Sequence, residues 1–201
     1  MVWFRQGALT VVAVVWCASF LLAAPPRPIG IAVGELNFAA GTSTVRGQAT
    51  LFDGDPVRSE FLPTRLHLKD GSRYVLGIAS EGTVYRDHLL LRSGSADLMS
   101  AGRPSRVVSS LASVTADTAG SAATVYATKD TVTVLVRKGE MKVARLGSAR
   151  VTTLGAGKAV TLKSDGRNGL ALDSDTAVVE VARVQGDQLA RLTEAAQDVN
   201  C

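Results

Sequence analysis

An all-β domain, a sandwich, barrel or β-roll of short hairpins, is the fold class this 201-residue sequence predicts, with an N-terminal membrane helix before it and a C-terminal amphipathic helix after it. Three observations carry the prediction. Apolar and polar residues alternate in short runs between residues 51 and 163. Glycines punctuate those runs every 8 to 15 residues or so, an interval of about the length of a strand and its turn. Finally, one pair of runs meets at Asp70-Gly71, a dipeptide suited to reversing a strand. A sheet patterned in this way buries one face, so it must close on itself or pair with a second sheet.

The first element, residues 1–24, is an apolar run from Ala8 to Ala24 that carries no charge and follows Arg5. At about 1.5 Å per residue it makes a helix of roughly 25 Å, near the lower limit for crossing a bilayer. It reads as a membrane anchor or a secretory signal peptide. Ala23 and Ala24 are small enough for a cleavage site, but Pro25 would follow the scissile bond and has no amide hydrogen, which favours an uncleaved anchor. Arg5 on the amino-terminal side directs the rest of the chain outward. The expected location is the inner membrane, single-pass, with the C-terminal domain periplasmic or otherwise extracytoplasmic; secretion after cleavage is the alternative. Cys17 lies in the apolar run and Cys201 ends the chain, so no disulfide framework is expected. Trp16, ahead of Cys17, is too bulky for a lipid-attachment signal.

Residues 25–50 are read as a linker and the first strands, and residues 51–163 as the main β-domain. Its clearest unit is Arg65–Lys69, Asp70-Gly71 and Ser72–Leu76, where Leu66 and Leu68 alternate with His67 and Lys69. The expected connection is a two-residue type I′ turn. Tyr85–Arg92 is read as a strand leading through Ser93-Gly94-Ser95 into a second strand at Ala96–Leu98. Thr131–Arg137, rich in β-branched residues, is expected to return through Lys138-Gly139-Glu140 into Met141–Val143. Arg150–Leu154 is expected to pair with Ala159–Leu162 across Gly155–Lys158. Residues 164–175 are a loop by composition. In residues 176–201, Val178, Val181, Ala182, Leu189, Leu192, Ala195, Ala196 and Val199 recur at helical spacing; Ala177–Val181 also fits a strand, and the helix is expected from about Gln188 onward.

The order and spacing of Leu66–Ser72, Leu89–Ala96, Val134–Glu140 and Leu154–Gly157 resemble the FecR-like domain, over roughly Leu51 to Leu162. The resemblance implies a periplasmic β-domain. In the best-known members this domain relays the state of an outer-membrane transporter to a cytoplasmic sigma factor, through a helical domain ahead of the membrane span. Only Met1 to Gly7 precede the apolar run here, too few residues to fold, so no sigma-binding module is expected.

The formal charge is +4; the C-terminal segment is net acidic, with Glu180, Asp187, Glu194 and Asp198 against Arg183 and Arg191, so the excess positive charge lies in the β region, where basic residues are spread along the chain. Dispersed cations read as a solvated sheet face before they read as a site for anionic polymers or headgroups. Nucleic acid is not expected, because Tyr74, Tyr85 and Tyr126 do not interleave with a basic run. Catalysis is not expected either. The histidines are His67 and His88, whose pairs with Asp70 and Asp87 have the chemistry of metal ligands or of a base and its orienter. His67, however, alternates with leucines and belongs on an outer face, and His88 adjoins a leucine run. No nucleophile elbow, phosphate loop or cysteine cluster occurs.

The sequence therefore predicts a non-enzymatic, membrane-tethered interaction domain of the cell envelope, with a sensing or scaffolding role and no cofactor or metal. Its expected partner is an envelope protein or a second copy of itself. The alternative is a secreted or periplasmic module for a small ligand or cell-wall polysaccharide, against which stands the absence of tryptophan beyond Trp16.

Overall fold

The computed structural model describes residues 26–149 and 151–164. These residues form strands and turns without a helix, so no helix among them is long and apolar enough to cross a membrane. The strands are β1 (Gly30–Ala40), β2 (Ser43–Leu51), β3 (Asp55–Ser59), β4 (Thr64–Leu68), β5 (Arg73–Leu76), β6 (Ser80–Val84), β7 (Leu89–Met99), β8 (Ser105–Val108), β9 (Ala112–Ala116), β10 (Ala122–Ala127), β11 (Thr131–Lys138), β12 (Glu140–Arg145), β13 (Val151–Gly155) and β14 (Ala159–Lys163). The apolar run Ala8–Ala24, Cys17, Cys201 and the C-terminal helix expected from Gln188 lie outside the described residues.

The amino-terminal half is a meander of long, bent strands. β3 and β4 run end to end along one edge of β1, antiparallel to it, while β2 occupies the other edge. β5 and β6 likewise run end to end along β7. With β3 paired to β6 and β4 to β5, the six segments β1, β4, β5, β7, β6 and β3 close a barrel-like circuit of pairings around a line of kinks. Each long strand breaks at that line. β1 carries a bulge between Gly34 and Asn37, and β5 gives way to β6 through residues 77–79. The fold-back in β1 is tight, because a Cβ on Gly34 would lie 2.5 Å from the Phe38 ring. A straight strand would hold those two Cα atoms about 13 Å apart.

β7 makes the same bend at Gly94, which has φ +87°. A Cβ there would sit 2.6 Å from the Ser80 Cα, and the Ser80 hydroxyl accepts the amide of Ser95 at 2.8 Å. Only glycine meets both demands. Ser93-Gly94-Ser95 is therefore a kink inside one 11-residue strand, and not the turn between two strands that the sequence suggests.

The carboxy-terminal half hangs from the second edge of β7. The first part of β7 pairs in parallel with β8 at Leu89 and Leu90, and its last part, Gly94 to Met99, pairs antiparallel with β10. From these grow two sheets, β8-β9-β12-β13 and β10-β11-β14. The chain passes between them at residues 117–121, at Gly139 and at residues 156–158. Two expected hairpins are thereby corrected. Thr131–Arg137 and Met141–Val143 are consecutive but lie in different sheets, as do β13 and β14. A left-handed glycine reverses the chain equally well within a sheet or between two. Gly139 (φ +71°) shows the second use, since a Cβ would press to 2.3 Å from the Ser121 hydroxyl across the corner.

Inward alternation along all these strands builds one core. Phe38, Leu51, Val57, Leu66, Leu76, Val84, Leu91 and Leu98 from the first half join Val114, Val125, Val134, Met141 and Leu154 from the second. Each such burial is worth about 1.5–3 kcal/mol for a side chain of this size. The β4–β5 hairpin forms as expected, with Leu66 opposite Tyr74, but its turn differs. Asp70 keeps a negative φ; the Gly71 amide donates to the Leu68 carbonyl at 3.1 Å and the Leu68 amide to the Ser72 carbonyl at 3.0 Å. This is a three-residue loop, a type I turn closed by a left-handed glycine. The Asp70 carboxylate holds it by accepting the Ser72 amide at 2.8 Å and hydroxyl at 2.9 Å.

Candidate interaction surface

The two histidine–aspartate pairs, His67 with Asp70 and His88 with Asp87, end in different places. His67 is exposed on the outer face of β4, while Asp70 is spent on its turn. His88 and Asp87 do meet, with Nδ1 2.8 Å from Oδ1, and the Tyr85 ring stacks on the imidazole at 4.6 Å between centroids. Asp87 also accepts Arg106 Nη2 at 2.7 Å. Its carboxyl is held below the ordinary range, chiefly by the hydrogen bond with His88 and further by the charges of His88 and Arg106. The Arg106 carbonyl in turn accepts the hydroxyl of buried Tyr74 at 3.2 Å, and burial pushes the Tyr74 phenol up to about 12. The cluster ties the β6–β7 connection to β8, a structural duty. Among the described residues no group of three His, Cys, Asp or Glu side chains could hold a metal ion.

What the pairing does assemble is a broad outer face. In one row across the sheet, Val33, Arg65, Val75, Asp97, Thr124 and Leu135 follow one another on β1, β4, β5, β7, β10 and β11. In the next, Ile31, His67, Arg73, Met99, Ala122 and Lys138 do the same. Asp97 accepts the Thr124 hydroxyl at 2.7 Å and pairs with Arg137 at 2.9 Å. Arg65, Arg73 and Lys138 form no ion pair among the described residues. This face therefore mixes apolar side chains with uncompensated positive charge.

At the kink line the face opens into a groove of about 280 Å³, lined by Val33, Glu35, Leu62, Pro63, Arg65 and Val75. It exists because the β1 bulge at residues 35–36 and the break at residues 60–63 fall side by side. The same irregular backbone leaves Leu36, Phe61 and Leu62 exposed, Phe61 by 61 %. A second groove of about 210 Å³, between β9, β12 and β13, is bridged by the Lys142–Asp117 ion pair at 2.6 Å, which raises the Lys142 pKa by hydrogen bond and charge.

Beside the first groove runs an open edge. Among the described residues β2 pairs only with β1, over nine residues, and is mostly exposed. Arg46 is its one charge and it holds no proline. A strand of this length with its outer N–H and C=O row free is a template for adding another strand.

No family model matches the chain, and no curated protein does. Two crystal structures of a protein from Parabacteroides distasonis assigned as an anti-sigma factor, at 2.50 and 1.65 Å resolution, are similar to it. They share 20 % and 19 % sequence identity with it, each at a TM-score of 0.45. The match spans 55 % of this chain and 55 % and 56 % of theirs, so the chain spans about half the length of the solved structures it matches.

Sequence reasoning missed the groove because its walls come from β1, β4, β5 and the 60–63 break, brought together by register. The one local signal was Phe61-Leu62-Pro63, an apolar triplet that alternates with nothing and ends in a residue unsuited to a central strand.

Proposed function

We propose that this chain is an extracytoplasmic interaction domain of the cell envelope, held at the membrane by Ala8–Ala24, that takes up a partner strand along β2. The observation that carries the reading is the nine-residue edge of β2, open among the described residues, one strand from a groove that Leu62 lines and near which the same irregular backbone exposes Leu36 and Phe61. Backbone pairing at the edge supplies affinity, and an apolar side chain seated in the groove supplies selectivity. The partner is an envelope protein or a second copy of the chain, and the role is sensing or scaffolding, without chemistry of its own.

A photoreactive residue at Gln48, exposed on β2, tests this in intact cells. The expected result is a discrete adduct with one envelope protein or with the chain itself, lost when Phe61→Asp and Leu62→Asp are introduced. Adducts scattered over many proteins, or an adduct indifferent to those changes, would overturn the reading.

A further inference from the structure

We infer that the strand added along β2 is β2 of a second copy of this chain, laid antiparallel about a two-fold axis at Gly47. The inference rests on the reading of β2 as a docking edge, and it names the occupant of that edge. Three observations carry it: which backbone groups of β2 turn outward, the near-palindromic order of its residues, and the place of its one charge.

The outward groups follow from the bonding of β1. Ala40 and Ser43 close the two-residue turn Gly41-Thr42, so Ser43 and, two residues on, Val45 direct N–H and C=O at β1. Beyond the bulge, the Ile29 carbonyl accepts the Lys69 amide at 2.8 Å, which turns the backbone groups of Ile31 and Val33 toward β4 and those of Gly30, Ala32 and Gly34 toward β2. Their partners Leu51, Ala49 and Gly47 therefore face β1. The N–H and C=O groups of Thr44, Arg46, Gln48 and Thr50 point away from it, and all four residues are exposed.

Read outward from Gly47, the strand matches itself in reverse. Arg46 and Gln48, Val45 and Ala49, and Thr44 and Thr50 stand at equal distances on either side. A two-fold axis through Gly47 sets each member of these pairs opposite the other on the second copy, with all nine residues of β2 overlapping. The outward-facing residues then meet as hydrogen-bonded pairs, Arg46 with Gln48 and Thr44 with Thr50, each exchanging two backbone bonds. Threonine opposite threonine is a favourable cross-strand pair. On the other face Val45 meets Ala49, both of which pack against the core of their own chain, so the inward layer continues across the axis. At the axis the two Gly47 Cα atoms approach to about 4.5 Å, as a non-hydrogen-bonded pair does. Gly47 has φ +90° and nothing within 4 Å of its would-be Cβ, so the bend it makes falls where both copies share it and where no side chain contests the space.

The charge selects this register over its neighbours. Pairing centred on Arg46 would oppose that cation to its own copy, and like charges directly opposite are destabilising. Pairing centred on Gln48 would carry Ser43 and Thr44 past the end of the facing strand. About Gly47 each guanidinium meets a neutral amide whose oxygen can accept from it. A partner strand of unrelated sequence would place no demand for symmetry on the residues of β2.

Cysteine trapping of the full chain in native envelope membranes tests the assignment, in a background with Cys17→Ser and Cys201→Ser. Two differently tagged copies are expressed together, one with Arg46→Cys and one with Gln48→Cys. Directly opposed Cα atoms, about 5.5 Å apart, suit a disulfide. Arg46→Cys with itself, or Gln48→Cys with itself, stands on a diagonal of about 7–8 Å. The mixed pair should therefore close about tenfold faster than either like pair. Thr44→Cys with Thr50→Cys, the next opposed pair, reports the charge: Gln48→Glu should raise its yield about threefold and Gln48→Lys lower it as much. Adding Arg46→Glu to Gln48→Lys should restore it. A like pair that closes faster than the mixed pair, or trapping indifferent to these charges, overturns the inference. So does the absence of any disulfide between copies; a discrete adduct of the photoreactive residue at Gln48 with a different envelope protein would then leave the β2 reading standing, and scattered adducts would remove both.

Discussion

Gly94→Ala should be among the most destabilising single-methyl additions in the molecule, and its size can be worked from the geometry. The residue sits at φ +87°, where any L side chain is strained by about 1–2 kcal/mol. The added Cβ would also meet the Ser80 Cα at 2.6 Å, backbone that cannot rotate aside, so β6 and β7 must part. Overpacking of that kind adds about 1–3 kcal/mol, for a total of roughly 2–5 kcal/mol. Gly120→Ala is the matched control, because Gly120 has φ +79° and nothing within 4 Å of its would-be Cβ. It should cost about 1–2 kcal/mol from backbone strain alone. Thermal unfolding of the detergent-solubilised full chain, followed by far-ultraviolet circular dichroism, reads both. At about 3 °C per kcal/mol for a chain of this size, the melting temperatures should differ by several degrees. Equal losses for the two variants would refute a continuous β7 bent tightly over Ser80.

Further expectations concern the core, the polar cluster and the histidines. Leu98→Ala, fully buried on β7, should lose about 3–5 kcal/mol by the same unfolding assay. The Tyr74 phenol, raised from 10.0 to about 12, favours the folded state fully below pH 10, and that contribution should fade as pH rises through 12; Tyr74→Phe should flatten this alkaline loss in a stability-versus-pH series. Asp87 works with the opposite sign: its depressed carboxyl adds stability above its ordinary 3.8 that disappears as pH falls through the lower folded value. Because the side chain is 67 % exposed, Asp87→Asn should cost under about 1 kcal/mol at neutral pH, with no difference from the parent in strong acid. His67→Ala should leave partner crosslinking at Gln48 unchanged; its loss would return that histidine to the functional surface.

The sequence made individual strands legible where alternation was clean. Leu66 and Leu68, or Val132, Val134 and Val136, announce an inward face directly, and Asp70-Gly71 announces a reversal. It did not reveal which strands pair. Gly139 and Gly157 are left-handed like Gly71, yet they carry the chain from one sheet to the other, and only the packing of both sheets on one core distinguishes the cases. Gly94 hid a kink for the same reason: a glycine between serines signals a positive φ without saying whether the chain reverses. Of the surface, His67's outward direction was readable from its neighbours. The rows joining Arg65 to Asp97, or Arg73 to Lys138, depend on register between strands tens of residues apart, and the open edge of β2 follows from its pairing, among the described residues, with β1 alone.

Hydrogen exchange at the amides of β2 most directly tests whether that edge receives a partner strand. In native envelope membranes the outward-facing amides between Ser43 and Leu51 should exchange far more slowly than in the purified monomer, with β1 amides little altered. Equal exchange along β2 in both states, with protection appearing elsewhere on the domain, would contradict strand addition at this edge.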